Sequence, residues 1–245
     1  MDVSPFRIER FYARYEHSTR YMLSSSDSES RTIAELLELE PDAHERLLEC
    51  WCGYTESPGA PELRQAIAAL YERTGAGEVV VTSCAEEGIF LRYHAILRPG
   101  DHAIVETPCY ESALQLARST GAEVSQWRRR YEDGWAHDLD ALAGMIRPAT
   151  RLLYINQPHN PTGTLMARPV FEHVIRLAAR TGWSCSATRS TGSSSMTRPA
   201  GCRPRAMNTS GPSRSAASPR ATACRDCGSA GSPPATLPCV RRSAC

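Results

Sequence analysis

Leu152-Leu153-Tyr154-Ile155-Asn156-Gln157-Pro158-His159-Asn160-Pro161-Thr162-Gly163 decides the fold of this chain. Its first four residues form a continuous apolar run, the pattern of a strand covered on both faces. Two prolines and a glycine in the next eight residues hold the asparagine in a rigid turn. A polar turn of this kind, just past the carboxyl end of a buried strand, lies where α/β proteins bind their ligands.

Working outward, the same alternation repeats. Val79-Val80-Val81-Thr82, Ala103-Ile104-Val105 and the run opening at Ala122-Glu123-Val124 read as strands. Residues 85–97, 110–119, 139–146 and 169–179 read as helices, with Arg98-Pro99-Gly100-Asp101 as a turn. Pro58 and Gly59 precede a further helix with Leu63, Ile67 and Leu70 on one face. Strands and helices that alternate through short connections predict an α/β fold: three layers around a mostly parallel sheet. Parallel strands are expected near 79–83, 103–107 and 151–156.

Residues 1–50 read as a helical N-terminal segment. Phe6, Ile8, Phe11, Tyr12 and Tyr15 recur at helical spacing, a polar serine-rich turn follows, and Pro41-Asp42 splits residues 32–50 into two helical pieces. Residues 51–182 carry the α/β pattern. After Gly182 the periodicity stops. A strand is due there, and Trp183-Ser184-Cys185-Ser186-Ala187-Thr188 stands in its place.

The charge also changes at that point. Residues 1–182 hold 19 Arg against 26 acids, and residues 183–245 hold 9 Arg against Asp226 alone. Bulky apolar residues nearly vanish from this tail, so it cannot repay its ordering entropy by burial, and disorder is expected over 183–245. No run of 18 apolar residues and no basic-then-apolar N-terminal segment occurs. The expectation is a cytoplasmic protein with free thiols in its body and no membrane partner. The tail has too few aromatics and no lysines for a nucleic-acid arm, so no nucleic acid is expected. Cys224 and Cys227 lack a second pair for a zinc site, so no metal is expected.

Two further features bear on chemistry. Thr82-Ser83-Cys84-Ala85-Glu86-Glu87 joins a strand to a helix, and its backbone N–H groups can cradle a phosphate. Every α/β protein has such junctions. Tyr110 follows the strand at 103–105 and can stack on a flat ring, although such a tyrosine is more often core.

Taken together and in order, these blocks resemble the fold-type I pyridoxal-phosphate enzymes, specifically the class I/II aminotransferases. The run from Gly53 to Arg64 is similar to the family's tyrosine–glycine block that opens a helix, and residues 82–87 to its phosphate cradle. Cys84 stands where the family usually has glycine. The resemblance covers residues 30–182. It implies a homodimer with pyridoxal 5'-phosphate as cofactor, and an amino acid and a 2-oxo acid as substrates. It implies that Tyr54 reaches the phosphate of the neighbouring subunit, and that the Ala85 and Glu86 amides hold the phosphate. Tyr110 then lies over the ring and Asn160 bonds the phenolic oxygen. Within the family, the serine-rich opening and Tyr54-Thr55-Glu56-Ser57 are most similar to capreomycidine-synthase-like enzymes. An aminotransferase is the reading this implies; a lyase or cyclase of a natural-product pathway, or a cofactor-free remnant, is the alternative.

The family's cofactor chemistry needs a lysine, and this chain has none: all 28 of its Lys+Arg positions are arginine. No residue is therefore assigned as catalytic. One choice of codons for residues 182–197, read in a shifted frame, spells Val-Val-Leu-Leu-Cys-Asp-Glu-Val-Tyr, the missing strand followed by the family's Asp-x-x-Tyr block. The same shift over residues 217–236 spells a block with Ser-Lys-Gly-Tyr-Gly, the family's cofactor-lysine block. The expectation is a frameshift near residue 182, with the family's C-terminal part lost beyond it and the chain as written inactive.

Overall fold

The computed structural model describes residues 3–24, 30–188 and 222–223. Its centre is a four-stranded, wholly parallel sheet. The strands of the sheet are β2 (His102–Thr107), β3 (Glu123–Arg128), β4 (Thr150–Asn156) and β5 (Ser184–Thr188), in spatial order β3-β2-β4-β5. Helices α5 (Ala85–Ile96), α6 (Glu111–Ser119), α7 (Leu139–Met145) and α8 (Arg168–Thr181) cover it.

The two-residue period of a strand sorts the core into two faces. Ala103, Val105, Leu152 and Tyr154 pack on one face with Ile89, Tyr93 and Leu97 of α5 and its exit, and with Ala113, Leu116 and Ala117 of α6. Ile104, Leu153 and Ile155 face the other way, onto Leu142 of α7 and Val174 and Ala178 of α8. All six residues of β2 are buried, which is why the strand shows no polar alternation in sequence. Truncating a fully buried leucine such as Leu152 to alanine costs about 2–5 kcal/mol.

Helix α8 begins with proline in its first turn and ends at Gly182, whose φ of +73° supplies the left-handed C-cap. Helix α7 starts at Asp138, whose carboxylate accepts the Ala141 N–H at 2.8 Å.

Two expectations are corrected. Residues 79–82 do not join the parallel sheet: β1 (Val79–Val80) pairs antiparallel with β6 (Thr222–Ala223) in a separate two-stranded ribbon. Val79 and Val81 instead pack with Ile67, Ala68 and Tyr71 around α4 (Pro61–Ala68), as a satellite cluster. Order also does not end at Gly182. Ser184–Thr188 forms β5, because the pairing of parallel strands is made by backbone N–H and C=O groups that every residue here carries, and Trp183 and Cys185 complete the α8 face of the core. Residues 189–221 and 224–245, the rest of the segment expected to be disordered, lie outside the described residues, as do Cys224 and Cys227.

Before α4 lie α1 (Arg7–Tyr15), α2 (Ile33–Leu37) and α3 (Ala43–Leu48), which bury no residue. Thr32 and Glu35 form a reciprocal capping box at the start of α2, and Pro41 and Asp42 separate it from α3.

Candidate cofactor site

The carboxyl ends of β2 and β4 and the N-termini of α5 and α6 meet at one edge of the sheet. Four of the five residues singled out from sequence lie on these elements. Ala85 and Glu86 open α5, Tyr110 is the N-cap of α6, and Asn160 sits in the loop after β4. Electrostatics ties them together. Tyr110 feels the Glu86 carboxylate, and the His159 ring lies beside the Pro108 carbonyl. Tyr54 lies outside these elements, in the segment between α3 and α4, and is fully exposed, at 105% of its reference area.

The α5 end is built as a helix start. Cys84, the N-cap, has φ −154° and ψ 170°, extended backbone that any residue adopts, so the cysteine in place of the family's glycine does not strain the turn. Its Sγ accepts the Glu87 N–H at 3.4 Å. The Glu87 carboxylate reaches back to the Ser83 N–H at 2.7 Å and hydroxyl at 2.6 Å. The N–H groups of Ala85 and Glu86, in the first turn, have no acceptor inside the helix, which leaves them to an anion.

Tyr110 donates its hydroxyl to Glu9 of α1, and Phe6 packs edge-on against its ring at 6.2 Å between centroids. The Glu111 carboxylate accepts the Ile8 N–H at 2.9 Å. Burial first, and then the bond to Glu9, push the Tyr110 phenol up, so it stays protonated and acts as a donor. Burial pushes the Cys109 thiol up to about 12, which favours its neutral form.

The 156–164 loop folds on itself. The His159 N–H donates to the Thr164 carbonyl at 2.8 Å, and the Gly163 N–H to the His159 carbonyl at 2.7 Å. The His159 Nδ1 meets the Thr162 Oγ1 at 2.7 Å, and burial holds its ring below the ordinary histidine range. His159 thus shapes the loop and is not a poised base. The Asn156 side-chain amide donates to the Asn160 carbonyl at 3.5 Å.

Sequence reasoning missed the group beneath this loop. Glu106, the fifth residue of β2, is fully buried. It takes Arg129 at 3.2 Å, His137 at 2.9 Å, the Asn156 N–H at 2.9 Å and the Gln157 amide at 3.4 Å. A carboxylate that continues the apolar run 103–105 signals that a partner must exist, because an unpaired buried charge is prohibitive. Which of 28 arginines supplies it is not written locally.

The family model for aminotransferase class I and II matches residues 22–184. The chain belongs to this family. It is 34% identical over 130 residues to the aspartate/prephenate aminotransferase of Thermus thermophilus, covering 51% of this chain and 34% of that protein. It is 39% identical over 144 residues to the capreomycidine synthase of Streptomyces vinaceus, covering 58% of this chain and 37% of that protein. The fold is similar to a PLP-dependent aminotransferase from Streptococcus suis, with TM-score 0.71 and 29% identity over 76% of this chain and 51% of that one. The chain spans about a third of the length of the curated relatives it matches.

Class I/II aminotransferases of this kind use pyridoxal 5'-phosphate. The first-turn N–H groups of α5 are open to an anion such as its phosphate. The amine that the family bonds to the cofactor is missing, since the chain has no lysine. Arginine cannot replace it, because its guanidinium stays protonated. The residues of this chain therefore do not fit the cofactor as the family carries it.

Proposed function

We propose that this chain is the front half of the large domain of a pyridoxal-phosphate-dependent aminotransferase that acts on an amino acid and a 2-oxo acid. The observation that carries this reading is the gathering of the α5 amides, Tyr110 and the Asn160 loop at one sheet edge, in a chain of this family. In the full-length enzyme the Ala85 and Glu86 amides hold the phosphate, Tyr110 covers the ring and Asn160 meets the phenolic oxygen. The exposure of Tyr54 suits a residue that reaches into a neighbouring subunit, so the intact enzyme is read as a homodimer, in the cytoplasm. When bound, the cofactor supplies an electron sink; the chain's own residues bind and orient it.

The 245-residue chain itself is inactive in this reading, with the frame lost near residue 182 and the lysine lost with it. The similarity to capreomycidine synthase favours a lyase or cyclase of a natural-product pathway as the second reading. Restoring the frame tests the proposal. The restored protein gains a cofactor absorbance band and transfers amino groups to 2-oxo acids. Elimination or cyclisation without transfer selects the second reading. No cofactor uptake by the restored protein overturns both, and leaves a cofactor-free remnant.

A further inference from the structure

The loop that carries Asn160 is held from beneath at both ends. At its start, Glu106 Oε2 accepts the Asn156 N–H at 2.9 Å, and Oε1 accepts the Gln157 amide at 3.4 Å. At its far end, Arg129 donates to Thr164 Oγ1 at 2.7 Å. The circuit closes where Arg129 meets Glu106 at 3.2 Å, with both side chains buried. Arg129 is itself aimed by the Trp135 carbonyl, which accepts its Nε at 2.7 Å. Gln157 adds a strap, since its Oε1 accepts the Met166 N–H at 2.7 Å. Inside the circuit, Thr162 Oγ1 and Thr164 Oγ1 are 2.8 Å apart. Asn160 lies midway between Asn156 and Thr164.

Stability alone does not call for this pair. Two charges taken out of water lose solvation that one contact seldom returns, and apolar replacements of buried pairs are often neutral or stabilising. What an apolar pair cannot do is grip polar groups of the loop. A carboxylate bonded to a backbone N–H, and a guanidinium bonded to a hydroxyl, are charge-assisted bonds of defined direction.

We infer that Glu106 and Arg129 are positioning residues that clamp both ends of the 156–164 loop and so fix where Asn160 stands. The inference rests on the reading of Asn160 as a cofactor contact. The pair touches no reacting atom; it acts through the loop.

The test uses the 245-residue chain, with amide hydrogen exchange over residues 156–166 and binding of pyridoxine 5'-phosphate, which has no aldehyde and needs no lysine. In E106L/R129M the Asn156 N–H, the Gln157 amide and His137 lose their acceptor, so the melting temperature falls; loop exchange speeds up about tenfold more than exchange at Ile104 and Leu153, and ligand affinity falls by about tenfold. Unchanged loop exchange in a folded E106L/R129M overturns the clamp. Should that variant fail to fold, T164V decides, since it removes the grip of Arg129 on the loop and keeps the ion pair. Faster loop exchange with little change in melting temperature then supports the clamp, and unchanged exchange overturns it. If the wild-type chain does not bind pyridoxine 5'-phosphate, the cofactor reading fails at Asn160, and loop exchange still decides the clamp.

Discussion

Ser186 stands opposite Tyr154 in parallel register, and its hydroxyl is buried without a hydrogen-bond partner among the described residues. Trp183, at the entry to the same strand, also buries an unpartnered ring N–H. One orphan lies in β5 and the other just before it, and among the described residues neither finds a partner, so this edge of the core carries polar groups where an apolar side chain would bury without penalty.

Ser186→Ala should therefore stabilise the chain. It removes a desolvated hydroxyl and leaves almost no cavity, for a gain of about 1 kcal/mol. Urea unfolding measures it as a higher midpoint with an unchanged slope. A lower midpoint would show that the hydroxyl has a partner and that the strand suits its place.

Acid should weaken the fold through His102. Its ring lies between strands, with Nδ1 on Thr150 Oγ1 at 2.8 Å and Nε2 on Ser125 Oγ at 2.9 Å. Burial is the main cause that lowers its pKa; Arg147 adds to this and Glu123 opposes it. His159 is lowered the same way. The unfolded chain then binds protons more readily than the fold does below the ordinary histidine value of 6.5. Stability is fully present above that value and is lost as pH falls below it towards the depressed folded values. Unfolding midpoints taken from about pH 7 to pH 5 should fall, and fall less steeply in His102→Gln. A flat profile in the wild-type chain would sink the assignment.

Gly59 is required by its backbone and by its surroundings. Its φ is +108°, and a Cβ there would lie 2.6 Å from Val81 Cγ2. The contact is tight because the Val81 N–H donates to the Pro58 carbonyl at 2.8 Å, which draws the two segments together. Gly59→Ala should cost about 1–3 kcal/mol and expose the α4 cluster first. Hydrogen exchange should rise around Ile67 and Tyr71 and hold at Ile104 and Leu153. Equal loosening of both regions would show that the two clusters melt as one.

How much of this was legible in sequence depends on how local the cause is. The strands at 103–105 and 152–155 announced themselves because both faces are buried and every position is apolar. Tyr110 and Asn160 were singled out because each stands a few residues past such a strand, and the roles given to them come from the family resemblance. The partner of β1 was not readable, since a two-residue strand carries no period and its mate lies in the tail. β5 was missed for the opposite reason: its side chains argue against a strand, and the backbone of β4 supplies the pairing regardless. The Glu106–Arg129 clamp joins residues 23 positions apart, through a contact that no local pattern encodes.

The chain should be unable to hold its family's cofactor covalently. Among side chains only lysine offers a primary amine that can lose its proton and form an imine with the cofactor's aldehyde, and this sequence has none. The chain is incubated with pyridoxal 5'-phosphate, reduced with borohydride, digested and mapped by mass. No internal peptide should carry the cofactor mass, and any label should fall on the terminal amine. Under the proposed reading, reversible binding at the α5 amides and Tyr110 is compatible with this result. In the frame-restored protein one internal peptide should become labelled, at the lysine spelled across Pro219 and Arg220, and labelling should fall in Asn160→Ala because the ring is then poorly held. An internal label on the 245-residue chain would mean that a residue other than lysine bonds the cofactor, and the inactivity of this chain would have to be abandoned.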